Sequence, residues 1–197
     1  MSEPTAPAEL IPVGPLVLRR LRSEDLDELA RAVQQSLDHL RPWLRWAARP
    51  ARAEQQAFLA GAVRGWERGE RYEYAILEDR GALIGGVGLM RRAGPGVLEI
   101  GYWVHSDRVR RGVATLAAAA VTDAAFALPG TERVEIHHDE ANLASGRVPA
   151  RLGFEMVRSV SIEPSTPAES GRDLIWALQR ASYPASSCRA ILARASG

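Results

Sequence analysis

A strand that turns into a helix decides the fold, and it reads Val97-Leu98-Glu99-Ile100-Gly101-Tyr102-Trp103-Val104-His105-Ser106-Asp107-Arg108-Val109-Arg110-Arg111-Gly112-Val113-Ala114-Thr115. Apolar and aromatic residues fill Val97 to Val104 except at Glu99, which predicts a buried strand. The Ala-rich run from Gly112 to Leu128 predicts a helix, and a further strand is expected at Arg133 to His137. A helix that crosses between two strands makes them parallel neighbours.

The rest of the chain supplies mainly antiparallel strands and flanking helices. Strands are expected at Leu16–Arg22, Tyr72–Leu77, Leu83–Arg91, Phe154–Ile162 and Asp173–Leu178, with turns at Asp79-Arg80-Gly81 and at Ala93 to Gly96. Helices are expected from Ser23, as N-cap, to about Ser36, over Arg52–Arg68 and over Asn142–Leu152. This order predicts an α+β fold with one domain over residues 15–180. Residues 1–14 are expected to form a flexible lead, and residues 181–197 a tail that is disordered or loosely docked.

Composition excludes several classes of function. The 197 residues carry 25 basic and 24 acidic side chains, so a net charge of +1 gives no basis for binding bulk nucleic acid or an anionic membrane. Every basic residue is arginine, which excludes a lysine Schiff base and a lysine-containing phosphate loop. Cys188 is the single cysteine, so neither an internal disulfide nor a Cys-rich zinc site is possible.

The sequence predicts a cytoplasmic protein. The N-terminal residues lack the basic and apolar regions of a signal peptide. The longest apolar stretch, Val113 to Val121, is far shorter than the roughly 20 residues of a membrane span.

The turn before the Ala-rich helix is a candidate anion site. The first N–H groups of a helix lack internal partners and carry the positive end of its dipole, so they can hold a phosphate. Gly112 and Ala114 leave the backbone uncovered, and Arg110 and Arg111 supply charge-assisted hydrogen bonds. A solvated basic turn is the competing interpretation.

Two further groups of residues invite a chemical interpretation. Glu99 is a lone carboxylate in an otherwise apolar strand, and a buried charge is costly unless it is paired or used. An arginine-paired glutamate is the alternative.

Asn142 is a natural N-cap, and Ser145 follows one turn later; Pro149 removes the N–H that would bond the Ser145 carbonyl. Capping and packing could also explain that segment.

Together these residues resemble the GNAT (GCN5-related) acetyltransferases, and within them the bacterial branch that acetylates the N-termini of ribosomal proteins. The resemblance runs from about Val13 to Leu178. It rests on Glu99-Ile100-Gly101-Tyr102-Trp103, Arg111-Gly112-Val113-Ala114-Thr115, Asn142-x-x-Ser145 and Leu152-Gly153-Phe154, with Leu40-Arg41-Pro42-Trp43-Leu44-Arg45-Trp46 similar to the branch's substrate-side segment.

The resemblance implies acetyl-CoA bound in a splay between the fourth and fifth expected strands, which begin at Val97 and Arg133. The pantetheine would run along the backbone of Trp103 and Val104 beside His105, and would meet Asn142 and Ser145. The pyrophosphate would sit on the amides of Arg110, Arg111, Gly112, Val113, Ala114 and Thr115. Val109 departs from the family's Q/R-x-x-G-x-G/A loop, with Arg108 one residue early. Pro149 stands where many members place a tyrosine acid.

The implied reaction is direct attack of an amine on the thioester. An α-amino group with a pKa of about 7.7–8.0 loses its proton more easily than a lysine at about 10.4, by roughly 3 kcal/mol. Glu99, acting through water, therefore suffices as the base, the Val104 amide would hold the thioester oxygen, and Ser145 would protonate the departing thiolate. Trp43 and Trp46 could wall the acceptor pocket with Glu99, although core packing is the commoner fate of such tryptophans.

The acceptor stays open between a protein or peptide N-terminal α-amine and a small amine such as an aminoglycoside, polyamine or amino acid. Acidic side chains around the mouth of the pocket would favour a small amine, and the Arg-rich stretch from Arg41 to Arg52 argues against a polycation. A non-catalytic acyl-CoA-binding module is a third hypothesis, which Val109 and Pro149 keep open. No metal is expected, because the adjacent His137 and His138 point to opposite faces of a strand. A homodimer is possible.

Overall fold

The computed structural model describes residues 6–48, 51–78 and 81–195. In this part of the chain a single eight-stranded sheet has the order β1-β2-β3-β4-β5-β6-β8-β7. The strands are β1 (Leu10–Val13), β2 (Leu16–Arg20), β3 (Arg71–Glu78), β4 (Leu83–Met90), β5 (Val97–Val104), β6 (Arg133–Asp139), β7 (Glu155–Ser161) and β8 (Arg172–Gln179).

Six α-helices flank the sheet within the described residues. They are α1 (Leu26–Gln35), α2 (Leu37–Leu40), α3 (Arg52–Glu67), α4 (Val113–Ala127), α5 (Leu143–Leu152) and α6 (Ser187–Ala195). Glycines in the left-handed region terminate several of them, as at Gly153 after α5, where φ is 79°. The α+β prediction with a mainly antiparallel sheet is confirmed.

The parallel pair β5–β6 opens after four residues. Its register runs from Val97 opposite Arg133 to Ile100 opposite Ile136, and it stops there although both strands continue. The predicted splay between the Val97 and Arg133 strands is therefore confirmed; these are the fifth and sixth strands because β1 adds one at the edge.

Each strand presents alternate residues to two different layers. Leu98, Ile100 and Val104 pack into the larger core beneath α4 and α5. Trp103 packs on the opposite side, against the cluster formed with α1 and α3. The open end of the β5–β6 pair therefore connects two faces of the sheet.

Both ends of the chain are more ordered than the sequence predicts. Residues 10–13, placed in the flexible lead, form β1, which pairs antiparallel with β2; Pro12 is tolerated because β1 is an edge strand. The predicted disordered or loosely docked tail forms α6, whose Cys188 is fully buried against α4. Tertiary packing, rather than local sequence signals, orders both segments.

The start of the first long helix also differs in detail. Ser23 was expected as the N-cap, but residues 23–25 form a short 3-10 turn before α1. The side chain of Asp25 accepts the N–H of Arg22 at 2.8 Å. The expected turn at Asp79 and Arg80 lies outside the described residues. None of the described helices is both long enough and apolar enough to cross a membrane.

Candidate active site

A cavity of about 920 Å³ occupies the splay and opens to both faces of the sheet. β5 and β6 form its walls, the turn before α4 closes one end, and α2 with the segment before β8 covers the other. Eleven of the predicted site residues line it: Trp43, Glu99, Trp103, Val104, Arg110, Gly112, Val113, Ala114, Thr115, Asn142 and Ser145.

The turn before α4 has the backbone shape of an anion cradle. Arg110 and Gly112 adopt left-handed conformations, with φ of 61° and 81°. Gly112 is the N-cap of α4 without a side-chain cap, and a Cβ there would meet nothing within 4 Å. The N–H groups of Val113, Ala114 and Thr115 have no partner inside the helix. Successive amides in such a turn can converge on a phosphate.

The departure at Val109 has a structural explanation. The Val109 side chain is partly buried against the main core, so it does not offer a polar group to the turn. Arg108 instead donates from Nε to Glu78 Oε1 at 2.7 Å, and this hydrogen bond is the main cause of a lowered Glu78 pKa. Arg108 therefore anchors the turn to the end of β3.

The exposed edge of β5 supplies backbone donors and acceptors. The His105 N–H bonds the carbonyl of Ile84 on β4 at 2.8 Å. Because neighbouring residues of a strand direct their peptide groups to opposite sides, those of Val104 and Tyr102 point toward β6, where the pairing has already ended. An extended amide-containing chain could pair with this edge.

Helix α5 brings Ser145 to the cavity. Asn142 caps the helix, because its Oδ1 accepts the Ser145 N–H at 3.1 Å. The hydroxyl of Tyr102 lies 3.0 Å from the Ser145 carbonyl oxygen and 3.1 Å from Ser145 Oγ. Burial raises the pKa of Tyr102 to about 12, so its phenol stays protonated. The structure thus pairs Ser145 with a residue that the sequence analysis did not assign to the site.

On the other face of β5, Glu99 is held by an arginine. Arg92, in the loop before β5, donates Nε to Glu99 Oε2 at 2.8 Å and a second N–H to Oε1. The Glu99 side chain is 7% exposed, whereas that of Arg92 is 62% exposed. The arginine-paired alternative for Glu99 therefore describes the geometry, while the residue still lines the cavity.

His137 lies close to three carboxylates, one of which is Glu99. His137 Nε2 lies 2.9 Å from Glu135 Oε2, and His137 Nδ1 lies 3.7 Å from Asp173 Oδ2 and 3.9 Å from Glu99 Oε2. Burial raises the pKa of Asp173; His137 opposes this rise and Glu99 adds to it. Glu99, His137 and Asp173, here called the carboxylate cluster, line the cavity together.

His138 faces away from that cluster. Its Nε2 accepts the indole N–H of Trp176 at 2.9 Å, so the ring proton is on Nδ1, which donates to the Asp139 carbonyl at 2.8 Å. His138 is therefore neutral and occupied at both nitrogens. Within the described residues no group of three or more metal-binding side chains converges.

The end of the cavity next to α2 is covered by apolar side chains. Leu40, Trp43 and Leu44 line it, and Thr166 Oγ1 donates to the Pro42 carbonyl at 2.6 Å, which ties the segment before β8 to the end of α2. Trp46 does not share this wall with Trp43, contrary to the prediction. It is 44% exposed and contacts Trp103 edge-on, with ring centroids 6.0 Å apart.

Two other predicted residues do not line the cavity. His105 turns toward α1, where its Nε2 lies 3.1 Å from Gln35 Oε1, and its Nδ1 accepts the Asp107 N–H. Arg111 is exposed on the outer side of the turn. Arg92 and Asp173 carry no local sequence signal, and the pattern of adjacent His137 and His138 argued only against a shared metal ion. Tyr102 stood inside a quoted motif without a role.

A family model described as Acetyltransferase (GNAT) domain matches residues 15–155. The chain belongs to the GNAT acetyltransferase family. As a GNAT enzyme it is an acetyl-CoA-dependent N-acetyltransferase, in agreement with the resemblance drawn from the sequence. Among curated relatives, "Putative ribosomal N-acetyltransferase YdaF" of Bacillus subtilis (strain 168) is 29% identical over 149 residues, covering 71% of this chain and 77% of the relative.

Solved structures share the fold of this GNAT enzyme. Mycobacterium smegmatis RimJ in complex with CoA-disulfide superposes with a TM-score of 0.84 at 24% identity, covering 98% of this chain and 97% of RimJ. RimL, a ribosomal L7/L12 alpha-N-protein acetyltransferase in complex with coenzyme A, has a TM-score of 0.80 at 20% identity, covering 87% and 98%. Both of these neighbours hold CoA or a CoA derivative.

Proposed function

We propose that the enzyme transfers the acetyl group of acetyl-CoA to the α-amine of a protein or peptide N-terminus. The observation that carries this proposal is the carboxylate cluster of Glu99, His137 and Asp173. It lies in the same cavity as the free β5 edge and the α4 turn, on the acceptor side of the splay. A single positive charge at the end of an extended chain fits this arrangement.

The residues of the other face fit acetyl-CoA. The amides of Val113, Ala114 and Thr115 would hold the pyrophosphate, with Arg110 beside them. The pantetheine would pair with the free edge of β5, and the Asn142 side chain retains its N–H donors for that arm. The Val104 amide would stabilise the thioester oxygen as negative charge develops on it.

The chemistry divides between the two faces of β5. The attacking amine nitrogen forms a bond to the thioester carbon, and its proton passes through water to Glu99. The C–S bond then breaks with its electron pair moving to sulfur, and Ser145 supplies the proton to that sulfur. Glu99 can serve only after Arg92 withdraws, and the solvent exposure of Arg92 permits that movement.

An N-terminal α-amine is favoured over a small polycation. Arg92, Arg147 and Arg151 line the cavity, so the several positive charges of an aminoglycoside or polyamine would be repelled more strongly than the single charge of an α-ammonium. YdaF is named as a ribosomal N-acetyltransferase, and RimL as an enzyme of the ribosomal L7/L12 N-terminus, which supports a ribosomal-protein acceptor here too. Such an acceptor is made in the cytoplasm.

A pooled acceptor panel tests the proposal. Peptides that begin with Ala, Ser or Met, spermidine and kanamycin are incubated with acetyl-CoA and the enzyme, and products are identified by mass spectrometry. We expect transfer to free α-amines and none to the same peptides when they are already N-acetylated. Transfer to spermidine or kanamycin alone would contradict the N-terminal acceptor and support a small-amine acceptor. CoA binding without transfer to any acceptor would support the hypothesis of a non-catalytic acyl-CoA-binding module.

A Glu99→Gln variant tests the assigned base. Loss of the carboxylate should lower kcat by 10²–10⁴-fold and flatten the acid limb of its pH profile. Glu155→Gln, which changes an exposed glutamate on β7 outside the cavity, is the matched control. An unchanged rate and pH profile in Glu99→Gln would assign proton removal to another member of the carboxylate cluster.

A further inference from the structure

Helix α5 contains a carbonyl group that the helix itself cannot satisfy. In a regular α-helix the Ser145 carbonyl accepts the N–H of the residue four positions later, but that residue is Pro149, which has none. The Tyr102 hydroxyl, on β5, takes that place by donating to the Ser145 carbonyl at 3.0 Å. The missing helical bond therefore explains why a strand tyrosine is joined to this turn.

The same phenol oxygen lies 3.1 Å from Ser145 Oγ. A phenol has one hydrogen, which can be donated to the Ser145 carbonyl or to Ser145 Oγ; when it is donated to Oγ, the Ser145 hydroxyl keeps its own hydrogen free for a group in the cavity. Tyr102 lines the cavity and is carried by β5, whose Val104 neighbours the reacting thioester in the proposed function. Burial keeps its phenol neutral through the physiological range.

We propose that Tyr102 is a positioning residue that orients the Ser145 hydroxyl toward the departing CoA sulfur, a role that Pro149 makes available. This inference rests on the proposed function of Ser145 as the proton donor. As the C–S bond breaks, the Ser145 O–H bond breaks and an S–H bond forms. The phenol hydrogen, turned from the carbonyl to the Ser145 oxygen, stabilises the negative charge on that oxygen until the oxygen takes a proton from solvent.

The first test compares Tyr102→Phe with wild type. We expect kcat to fall about tenfold, part of the 10²–10⁴-fold that general acid catalysis supplies, while the KM for acetyl-CoA changes less than twofold. In a Ser145→Ala background the same substitution should cause no further loss of kcat, because the residue it positions is gone. Tyr74→Phe is the matched control, since Tyr74 also donates to a backbone carbonyl, that of Ala8, outside the cavity.

A second variant separates positioning from simple capping of the carbonyl. Pro149→Ala restores an N–H that can bond the Ser145 carbonyl within the helix. If Tyr102 only satisfies that carbonyl, the Tyr102→Phe/Pro149→Ala double variant will recover the wild-type rate and overturn the inference. We expect the double variant to remain about tenfold slow, although its melting temperature recovers.

Hydrolysis of acetyl-CoA by the enzyme alone keeps this test apart from the acceptor question. Water then replaces the amine, but the same thiolate departs and needs the same proton. A Tyr102→Phe defect in hydrolysis as well as in transfer supports the positioning role even where the acceptor panel contradicts an N-terminal substrate. Equal hydrolysis and transfer rates in Tyr102→Phe and wild type would overturn the inference while leaving the proposed acceptor intact.

Discussion

Arg92 occupies both carboxylate oxygens of Glu99 from a largely exposed position, so in the proposed function an acceptor amine must compete with it for that carboxylate. We predict that Arg92→Ala lowers the KM for a peptide acceptor severalfold, since an α-ammonium no longer competes with a guanidinium for the carboxylate. The variant should also lose about 1–3 kcal/mol of stability, because a buried carboxylate loses its partner. Steady-state kinetics and urea unfolding measure the two effects.

Arg91→Ala is the matched control for this prediction. Arg91 is the adjacent exposed arginine. Its Nε donates to the Gly69 carbonyl, and its side chain does not line the cavity. It should leave the acceptor KM unchanged. A higher acceptor KM in Arg92→Ala alone would show that Arg92 binds the acceptor rather than competing with it.

At the scale of single residues, the sequence predicted that Glu99 would have a partner, but it did not predict which residue that partner is. A carboxylate in an apolar strand indicated that Glu99 would be paired or used, but nothing local selected Arg92 among 25 arginines. Asp173 reaches the cavity only because β8 pairs with β6, which places it opposite Asp139. The pairing of Asp173 with the cavity joins distant segments, which carry no periodic signal, and the loop that holds Arg92 has no period that would aim a side chain at Glu99.

The Asp139 side chain links the end of β6 to the start of β8. We expect the stability of this link to depend on pH, because the link requires an ionised carboxylate. Its carboxylate accepts the N–H groups of Ala141, Ser170 and Gly171 at 2.8–3.1 Å. Desolvation acts to raise the Asp139 pKa, but the hydrogen bonds from Ser170, Ala141 and Gly171 outweigh it, and the pKa is lowered.

We therefore predict that Asp139→Asn costs about 1–3 kcal/mol at neutral pH. Because the folded-state pKa is lowered, the wild-type advantage is fully present above the ordinary carboxyl pKa of about 3.9 and disappears as the pH falls through the lowered value. Urea unfolding across this range measures the difference. Glu140→Gln, at the exposed neighbouring position, should change stability little at any pH. A pH-independent difference for Asp139→Asn would contradict the electrostatic origin.

Elements with a strong period were predictable, and those ordered by neighbours were not. β5 occupies the predicted residues, because a run of eight mostly apolar residues between turns has one stable arrangement. β1 is four residues long and includes Pro12, so its strand character comes from pairing with β2. The bonding of Tyr102 to α5 was likewise invisible, although Pro149 correctly marked the carbonyl left without a helical partner.

For the whole molecule, the predicted crossover from Val104 to Arg133 fixed one parallel pair, and the antiparallel turns arranged the remaining strands around it. The splay follows from that crossover, because β5 and β6 share only four paired positions. The placement of Glu99 and Tyr102 on opposite faces of β5 then follows from strand alternation. The sequence did not predict which loops cover the cavity between β5 and β6.

The packing of α6 on α4 gives the last prediction, because Cys188 reports on it. Its side chain is fully buried, its Sγ lies 3.7 Å from the Ala119 carbonyl, and burial raises its pKa to about 12. A thiol reacts as the thiolate, so native Cys188 should resist a chromogenic disulfide reagent until α6 leaves α4. We expect one thiol to react at once in guanidinium chloride and only slowly in buffer. Rapid labelling in buffer would mean that α6 is loosely docked. If Cys188 instead reacts slowly in buffer, as we expect, the same reagent can measure the CoA thiol that is released during turnover, because the protein thiol does not contribute to the signal.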